Sequence, residues 1–365
     1  MATFHKLKVI EVIHETKDAI SIAFEVPETL REELHYIQGQ YLTIKVNVNG
    51  SEFRRSYSVC SSPFVDEPLK VAVKRVAGGK VSNYLNDNLK SGDVVEVMTP
   101  MGNFHTPLDP SNTKHYILFG GGSGITPMKS IIKSVLVKEP LSKVTLFYGN
   151  RDIESIIFKE SLESLASKSN GRFSIVHILD NPPASWEGYT GIMNKEKVLQ
   201  LLREKTDLNF YNAEVFICGP APMMSEVKSA VEALMIPDEK LHIEYFTAKD
   251  PSEAVSETVG SSSNGAAGKL ESDSKTKVKL MFDGGEFDVE MTPKQTILEA
   301  ALDAGLDPPY SCMVAACCTC RAKLLSGQVD MEDREALTDE EIDEGFVLTC
   351  QSHPTTHGII LDYDA

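Results

Sequence analysis

Four cysteines in the last quarter of this 365-residue chain constrain its fold more than any other feature of the sequence. Cys312, Cys317 and Cys320 follow the spacing C-x4-C-x2-C, and Cys350 comes later, in a separate segment. A cluster of two irons needs four thiolates, and this spacing is typical of chains that supply three of them from one tight loop. We therefore predict that Cys312, Cys317, Cys320 and Cys350 hold a [2Fe–2S] cluster.

The other residues of this loop favour the same prediction. Ala315, Ala316 and Thr319 are small, so backbone N–H groups can turn towards the sulfurs. Structural zinc is the alternative, but zinc usually takes two C-x2-C pairs or added histidines, and the loop has one such pair. Cys318, a fifth thiol in the loop, is expected to point away from the irons and to pack as an ordinary side chain.

A low-complexity segment divides the chain. Residues 249–275 are rich in Ser, Gly, Glu and Ala and contain no aromatic side chain. Such a segment cannot bury enough apolar area to offset the entropy of ordering it, so we expect a flexible linker. The predicted domains are 1–109 and 110–248 before this linker and 276–365 after it.

The hydrophobic pattern changes near residue 110. Before it, short alternating runs separated by turns predict a small antiparallel β-barrel. After it, apolar strands alternate with helical stretches, which predicts a doubly wound parallel α/β sheet. The predicted barrel strands are 41–48, 56–61, 69–76 and 94–98, and the predicted sheet strands are 115–119, 144–149, 173–179 and 215–219.

One predicted barrel strand carries Arg55-Ser56-Tyr57-Ser58, a set of residues suited to a flavin. Arg55 offers a cation for a phosphate, Tyr57 an aromatic face for the ring, and Ser58 a hydroxyl for the reactive N5 atom. Side chains 55 and 57 lie on one face, because side chains alternate along a strand. An ordinary edge strand with a packed tyrosine is the alternative interpretation.

A glycine turn further along the chain strengthens the flavin interpretation. In the stretch GGKVSNYL at 78–85, Gly78 and Gly79 form a turn that opens a predicted helix. The free N–H groups at the start of this helix suit a pyrophosphate. Lys74 and Arg75 lie just before this turn and can add phosphate contacts. At least one of these two cations is expected to be solvated surface charge.

A second glycine-rich turn, GGGSGITP at 120–127, lies between a predicted strand and a predicted helix. Glycines allow a tight turn and a close backbone approach, and the helix N-terminus favours phosphate charge. The turn departs from the dinucleotide fingerprint G-x-G-x-x-G, because the third glycine is missing. A plain tight turn is the alternative.

Three further positions suit a nicotinamide nucleotide. Cys218-Gly219-Pro220 follows a predicted strand, and Glu244-Tyr245-Phe246 ends the region before the linker. A buried inert cysteine and a core-packed phenylalanine are the ordinary interpretations of Cys218 and Phe246. Arg151 follows the second predicted strand of the sheet, where a cation suits a 2′-phosphate and favours NADPH over NADH.

Together these motifs resemble the ferredoxin–NADP reductase superfamily. Residues 276–365, with a hairpin pattern over 278–291 and a helix pattern over 296–305, resemble a plant-type ferredoxin of β-grasp, α+β fold. The order of the domains resembles the reductase components of bacterial multicomponent oxygenases. This resemblance implies FAD, a [2Fe–2S] cluster and NADPH or NADH as cofactors, and an oxygenase component as electron acceptor, most closely that of a phenylacetyl-CoA epoxidase.

The resemblance also implies roles for individual residues. It implies catalytic roles for Ser58 at the flavin and for Cys218 and Glu244 in the nicotinamide pocket, with Phe246 covering the flavin face. The residues implied to contact FAD are Arg55, Ser56, Tyr57, Ser58, Lys74, Gly79, Lys80, Val81 and Ser82. The residues implied to contact the nucleotide are Gly121, Gly122, Gly124, Thr126, Arg151, Cys218, Gly219 and Pro220.

Other acceptors and another class of function stay open. A reductase for a ring-hydroxylating dioxygenase or a hybrid cluster protein has the same motifs, because the motifs specify the electron path and not its end. A redox-sensing module, in which the state of the cluster controls association with a partner, is the alternative that is not an enzyme.

Charge and hydropathy limit the partners and the location. The chain has 36 basic and 53 acidic side chains, and residues 276–365 contribute 6 and 18 of them. Like charges repel, so we expect neither nucleic acid nor an anionic membrane as a partner of this region. No run approaches the roughly 20 apolar residues of a membrane span, and no signal-peptide pattern is recognisable, so cytoplasm is the expected location.

Overall fold

The computed structural model describes residues 3–65, 67–207, 210–246, 257–260, 275–334 and 336–365. His5–Phe246 forms one compact unit, and the C-terminal region forms a second. Within the described ranges, no helix has the length and apolar character needed to cross a lipid bilayer.

The first half of the larger unit is an antiparallel six-stranded barrel. Its strands are β1 (His5–Thr16), β2 (Ala19–Glu25), β3 (Tyr41–Val48), β4 (Ser51–Ser58), β5 (Leu69–Lys74) and β6 (Val94–Val97). They pair in the order β4-β3-β6-β1-β2-β5, and a bridge between Val59 and Val71 brings the two edges together. Helix α1 (Lys80–Asn88) packs on β5. The predicted barrel is confirmed, although β1 and β2 were not among the predicted strands.

The second half of the larger unit is a six-stranded parallel sheet. Its strands are β7 (His115–Gly121), β8 (Lys143–Asn150), β9 (Phe173–Leu179), β10 (Tyr189–Thr190), β11 (Ala213–Cys218) and β12 (Leu241–Glu244). Its helices are α2 (Ile125–Lys138), α3 (Lys159–Lys168), α4 (Lys195–Lys205) and α5 (Ala221–Ala233). The strand order is β10-β9-β8-β7-β11-β12.

Helices cover both faces of this sheet, which confirms the predicted doubly wound fold. Alternate residues of β7 enter two separate cores: Tyr116 and Leu118 pack with α2, whereas Ile117 and Phe119 pack with α4 and α5. This burial on both faces explains why β7 has an almost continuous apolar sequence. The strand order reverses between β8-β7 and β11, and ligands of such sheets bind at the carboxyl ends beside this reversal.

The smaller unit has the predicted α+β architecture. Its strands are β13 (Glu257–Gly260), β14 (Thr276–Phe282), β15 (Gly285–Met291), β16 (Arg321–Ser326), β17 (Gln328–Met331), β18 (Phe346–Leu348), β19 (Ser352–Pro354) and β20 (Ile359–Asp362). Five of them form the sheet β15-β14-β20-β16-β18, and three form the sheet β13-β17-β19. Helix α6 (Ile297–Asp303) contributes Ile297 and Leu298 to the core, and a second helix is α7 (Asp339–Asp343).

Strand β13 lies inside the segment predicted to be a flexible linker. It pairs antiparallel with β17, with Thr258 opposite Asp330 and Val259 opposite Val329. Apart from β13 and Lys275, residues 249–275 lie outside the described residues. The linker and the domain boundaries 1–109, 110–248 and 276–365 therefore stay predictions.

Candidate flavin, nucleotide and iron–sulfur sites

The three residues predicted to be catalytic meet at one place in the larger unit. Ser58 ends β4, and its Oγ atom donates a hydrogen bond to Glu244 Oε2 at 3.3 Å across 186 positions of sequence. Glu244 ends β12, where it lies opposite Cys218 in the parallel pairing of β11 with β12. A barrel strand and two strands of the parallel sheet thus end at the same polar group of side chains.

The three side chains of this group differ in charge and in hydrogen-bonding capacity. Cys218 is fully buried, and burial, followed by the nearby Glu244 carboxylate, raises its pKa well above the usual value. Its thiol therefore stays protonated at neutral pH and is not a nucleophile. The Glu244 carboxylate can accept hydrogen bonds, and the Ser58 hydroxyl can donate one.

The side chains of the flavin-type strand lie in different surroundings. Tyr57 packs against the barrel core, and burial raises its pKa, so its hydroxyl is neutral. Arg55 is exposed, and its Nη1 atom donates to the Arg54 carbonyl at 2.6 Å. Arg54 is buried, and its Nη2 atom donates to Glu52 Oε1 at 3.0 Å. Ser56 lies 3.3 Å from Thr43, Oγ to Oγ1.

The residues of the glycine turn before α1 differ in which of their groups are free to contact a ligand. Ser82 Oγ accepts the Val76 N–H at 3.1 Å, which orders the turn and leaves the hydroxyl proton available. Val81 is buried in the barrel core, so only its backbone can face a ligand. Lys80 Nζ lies 5.0 Å from the centre of the Phe53 ring. Gly79 is the N-cap of α1.

The glycine-rich turn after β7 contacts the Cys218-Gly219-Pro220 turn directly. A Cβ atom built on Gly124 would lie 2.0 Å from the Cys218 carbonyl oxygen. A Cβ atom on Gly121 would lie 2.5 Å from the Pro220 ring. Thr126 Oγ1 donates to the Ser123 carbonyl at 2.9 Å, which closes the first turn of the following helix.

Tyr148 is a contributor to this turn that sequence reasoning missed. Its hydroxyl donates to the Gly122 carbonyl at 2.9 Å, and Gly122 has a φ of +52°. The hydrogen bond fixes the orientation of a peptide unit at the predicted nucleotide site. The residue lies just before Gly149-Asn150 in β8, but nothing in the sequence shows which loop its hydroxyl reaches.

Two cations lie close enough to repel each other, and one of them reaches the glycine-rich turn. Lys74, from the barrel strand β5, places its Nζ atom 3.1 Å from the position of a Cβ atom on Gly122. Burial, followed by repulsion from Arg151, lowers the pKa of Lys74. Arg151 follows β8 and donates from Nε to Asp152 Oδ2 at 2.9 Å, in a largely exposed ion pair. Exposed pairs contribute only about 0–1 kcal/mol, so a phosphate can compete for Arg151.

Phe246 lies at the end of the larger unit. Its side chain is 40% exposed, whereas the preceding Tyr245 packs against the core beside α5. Core packing, the ordinary interpretation of this phenylalanine, therefore does not describe its place in the unit.

The four predicted cluster ligands come together in the smaller unit as two thiol pairs. The Sγ atoms of Cys312 and Cys317 are 3.2 Å apart, and Cys320 is hydrogen-bonded to Cys350. In the first pair, the hydrogen bond with Cys312 lowers the pKa of Cys317. In the second pair, the hydrogen bond with Cys320 lowers the pKa of Cys350. Among the described residues, no group of three or more Cys, His, Asp or Glu side chains is arranged around a single metal ion. Two pairs of sulfurs are the donor set that a two-iron cluster requires.

Backbone donors in the loop point towards these sulfurs. The Val314 N–H donates to Cys312 Sγ at 3.4 Å, and the Ala315 N–H donates to the Cys350 sulfur. Met313 and Ala315 have φ values of 61° and 53°, in the left-handed region that side chains other than glycine rarely adopt. The loop therefore holds a strained backbone, which turns its N–H groups inwards as the small residues suggested. The donor set and its hydrogen bonds fit a [2Fe–2S] cluster.

Three domain families match along the chain. Residues 6–106 match an oxidoreductase FAD-binding domain, residues 118–229 an oxidoreductase NAD-binding domain, and residues 280–355 a 2Fe-2S iron-sulfur cluster binding domain. The chain thus has one binding domain for each of the three cofactors, and the third contains all four predicted cluster ligands.

The chain also aligns with known proteins over nearly its whole length. The chain is 37% identical to a component of the 1,2-phenylacetyl-CoA epoxidase of Escherichia coli K12, over 100% of this chain and 99% of the relative. It is 36% identical to the ferredoxin reductase component of 3-ketosteroid-9-alpha-monooxygenase of Rhodococcus rhodochrous, over 98% and 96%. The solved structure of phthalate dioxygenase reductase aligns over 98% of both chains, with a TM-score of 0.57 and 27% identity. The chain therefore belongs to the family of flavin- and iron–sulfur-dependent reductases that form the electron-transfer components of oxygenases.

Proposed function

We propose that this reductase carries electrons from NADPH, through FAD and the [2Fe–2S] cluster, to the oxygenase component of a phenylacetyl-CoA epoxidase. The observation that carries the redox assignment is the contact of Ser58 with Glu244 beside Cys218, because it joins the flavin-type strand to the nucleotide sheet. The full-length similarity to the epoxidase component of Escherichia coli supports the choice of acceptor. We propose cytoplasm as the location.

The residues at this junction bind and orient, while the cofactors carry the chemistry. When bound, FAD would supply hydride acceptance and the release of single electrons, and the cluster held by the four cysteines would supply one-electron transfer. Ser58 and Glu244 hold one another in place, so the hydroxyl and the carboxylate keep a fixed position where nicotinamide and flavin must meet. The neutral Cys218 thiol and the rings of Tyr57 and Phe246 provide apolar surface that excludes water from this place.

Replacing Ser58 with alanine is expected to lower the rate of NADPH-to-ferricyanide electron transfer about a hundredfold, because a misplaced group beside the reacting atoms can cause a loss of that size. The change removes the donor that fixes Glu244, while the binding surfaces for both cofactors stay in place. We therefore expect the visible flavin spectrum and the KM for NADPH to change little. Stopped-flow measurement of flavin reduction checks the result.

Ser21 provides a matched control for this experiment. Its Oγ atom donates to Glu15 Oε1 at 2.6 Å elsewhere in the barrel, so Ser21→Ala also removes a serine–carboxylate hydrogen bond. Flavin reduction in Ser21→Ala should match the unaltered protein. Equal losses of rate in the two variants would mean that Ser58 acts only through barrel stability.

We also propose that Lys74 serves the nicotinamide nucleotide rather than FAD. Its ammonium group lies beside Gly122, in the turn that faces the pyrophosphate of either dinucleotide. The Lys74 ammonium makes no hydrogen bond or ion pair within the described part of the chain, so it is available to an anion. Arg151 lies where a 2′-phosphate is expected, which supports the preference for NADPH.

Substitutions at these two cations should have different effects. Lys74→Met is expected to raise the KM for NADPH and for NADH alike, by about tenfold, because both carry the pyrophosphate. Arg151→Ala should raise the KM for NADPH alone. Lys70→Met, which removes a cation of the same strand paired with Glu11 at 3.0 Å, is the control. A loss of FAD from Lys74→Met, with unchanged KM values, would return Lys74 to the flavin.

The acceptor is tested by coupled turnover with purified oxygenase components. With the phenylacetyl-CoA epoxidase oxygenase and its substrate, NADPH oxidation should be tightly coupled to product. The comparison acceptors are the oxygenase component of 3-ketosteroid-9-alpha-monooxygenase, the oxygenase component of a ring-hydroxylating dioxygenase, and a hybrid cluster protein. The first is a real second candidate, because its reductase is 36% identical to this chain. Faster coupled turnover with any of them would overturn the proposed acceptor.

Turnover of NADPH with an artificial electron acceptor distinguishes an enzyme from a redox-sensing module. A reductase turns over NADPH rapidly with ferricyanide or cytochrome c, whereas a sensor needs only slow changes in the redox state of its cluster.

The acidic region 276–365 makes ionic strength a useful variable in tests of acceptor binding. A basic acceptor should bind less tightly as ionic strength rises.

A further inference from the structure

The two thiol pairs of the cluster site differ in how far apart their members lie in sequence. Cys312 and Cys317 come from one loop, whereas Cys350 reaches Cys320 from a separate segment after β18. The loop holds the first pair through its own backbone. The second pair depends on contacts between two segments that are distant in sequence, so a small slip between them would separate its sulfurs.

Thr349 joins these two segments beside the sulfurs. Its backbone N–H donates to the Cys320 carbonyl at 3.2 Å, and its Oγ1 atom donates to the same carbonyl at 2.9 Å. The side chain is fully buried. Thr349, the residue before Cys350, therefore binds the Cys320 carbonyl through two hydrogen-bond donors.

Tyr363, in the segment after β20, is hydrogen-bonded to Thr349. Its hydroxyl donates to Thr349 Oγ1 at 2.9 Å, and burial raises its pKa, so it remains a neutral donor. Its backbone N–H donates to the Met281 carbonyl at 2.9 Å, and its ring meets Phe282 edge-on at 5.9 Å.

The next residue anchors the same segment. The Asp364 carboxylate accepts the N–H groups of Asp283 and Gly284, at 3.1 and 3.0 Å, in the turn between β14 and β15. Tyr363 is thus held on both sides, by its own backbone and by its neighbour. A fixed tyrosine can hold the threonine hydroxyl in a single orientation.

We propose that Tyr363 is a positioning residue for the iron–sulfur cluster and acts through Thr349 to set the spacing of Cys320 and Cys350. Groups behind the ligands of a metal site commonly orient those ligands, and their loss costs about 10- to 100-fold in metal affinity. With the tyrosine hydroxyl in place, Thr349 Oγ1 accepts one hydrogen bond and must give its own proton to the Cys320 carbonyl. This inference requires the cluster and is independent of the acceptor proposed above.

The test uses four substitutions in the full-length protein. Tyr363→Phe removes only the hydroxyl, Thr349→Val removes the relay hydroxyl at nearly constant volume, and Thr349→Ser keeps it. Tyr36→Phe is the matched control, because it removes a buried tyrosine hydroxyl, bonded to Ser61 at 2.8 Å, from the larger unit. The double variant Tyr363→Phe with Thr349→Val tests whether both residues act along one path.

Two readouts report on the cluster itself: the anaerobic rate of iron release to a chelator, and the electron paramagnetic resonance spectrum of the dithionite-reduced protein. We expect iron release to be several-fold faster in Tyr363→Phe and at least tenfold faster in Thr349→Val, with shifted resonance lines in both. Thr349→Ser and Tyr36→Phe should resemble the unaltered protein. The double variant should match Thr349→Val, because residues in one network are not additive.

Other outcomes would overturn the proposal. An unaltered spectrum and release rate in Tyr363→Phe would show that its hydroxyl does not reach the ligands. Additive effects in the double variant, or a Thr349→Ser variant as impaired as Thr349→Val, would assign the effect to packing. NADPH-to-ferricyanide activity, which reports on the flavin, should stay constant in all five variants, so a failure here is distinct from a failure of the proposed function.

Discussion

Replacement of Cys350 by serine is expected to abolish cluster binding and, with it, cluster-dependent electron delivery. Cys350 is the predicted ligand from a separate segment, and without it the site would offer only three of the four thiolates that a two-iron cluster requires. Flavin reduction by NADPH occurs in the other compact unit, so NADPH-to-ferricyanide activity should persist. Iron and acid-labile sulfide content, with the visible spectrum, measure the loss.

Cys318 provides the control for this experiment. It lies in the same loop and is also buried, but the sequence predicts that it is not a ligand. Cys318→Ser should keep the iron, the sulfide and the visible spectrum of the cluster. A Cys350→Ser protein with a full complement of iron, or a Cys318→Ser protein without any, would require a different set of ligands.

Replacement of Gly124 by alanine is expected to lower kcat/KM for NADPH by more than about a hundredfold while FAD and the cluster remain bound. The added Cβ atom would lie 2.0 Å from the Cys218 carbonyl oxygen and 2.4 Å from its carbon. Both neighbours are backbone atoms, so the glycine-rich turn and the Cys218 turn must move apart. Steady-state kinetics with ferricyanide check the loss, and dithionite reduction of the cluster should be unaffected.

Gly122→Ala tests whether this loss is specific to the close approach at Gly124. Gly122 lies in the same turn, but a Cβ atom there would meet only the flexible end of Lys74, at 3.1 Å. Its φ of +52° costs an alanine roughly 1–2 kcal/mol, so a milder defect is expected. Equal defects in the two variants would contradict the steric explanation.

Local sequence patterns predicted much of the larger unit. The apolar run at 173–179 coincides with β9, and the alternating run at 41–48 coincides with β3, because period and turn residues act over a few neighbours. The run at 56–61 was placed too late: β4 covers Ser51–Ser58 and ends at the residue that contacts Glu244. The long β1 and the largely buried β2 were missed, since neither is bounded by the glycine-containing turns that mark the others.

The site residues were predictable as types but not as partners. The sequence placed Ser58, Cys218 and Glu244 in three separate motifs, and only the fold brings Ser58 within 3.3 Å of Glu244. Lys74 was assigned to FAD from its position before a glycine turn, and the structure shows its ammonium group beside Gly122, in the turn after β7. Its assignment to either cofactor stays a prediction. Side chains that reach between domains leave no periodic signal along the chain.

The order of amino acids specifies which atoms are available: four thiols at a two-iron spacing, two glycine-rich turns, and a strand with a cation, a ring and a hydroxyl. These features are local, because spacing, alternation and backbone freedom depend on adjacent residues. Which of these atoms meet depends on the three-dimensional fold, which pairs Cys320 with Cys350, Ser58 with Glu244, and Tyr363 with Thr349. Such contacts depend on how distant segments pack, and packing is a property of the whole folded unit.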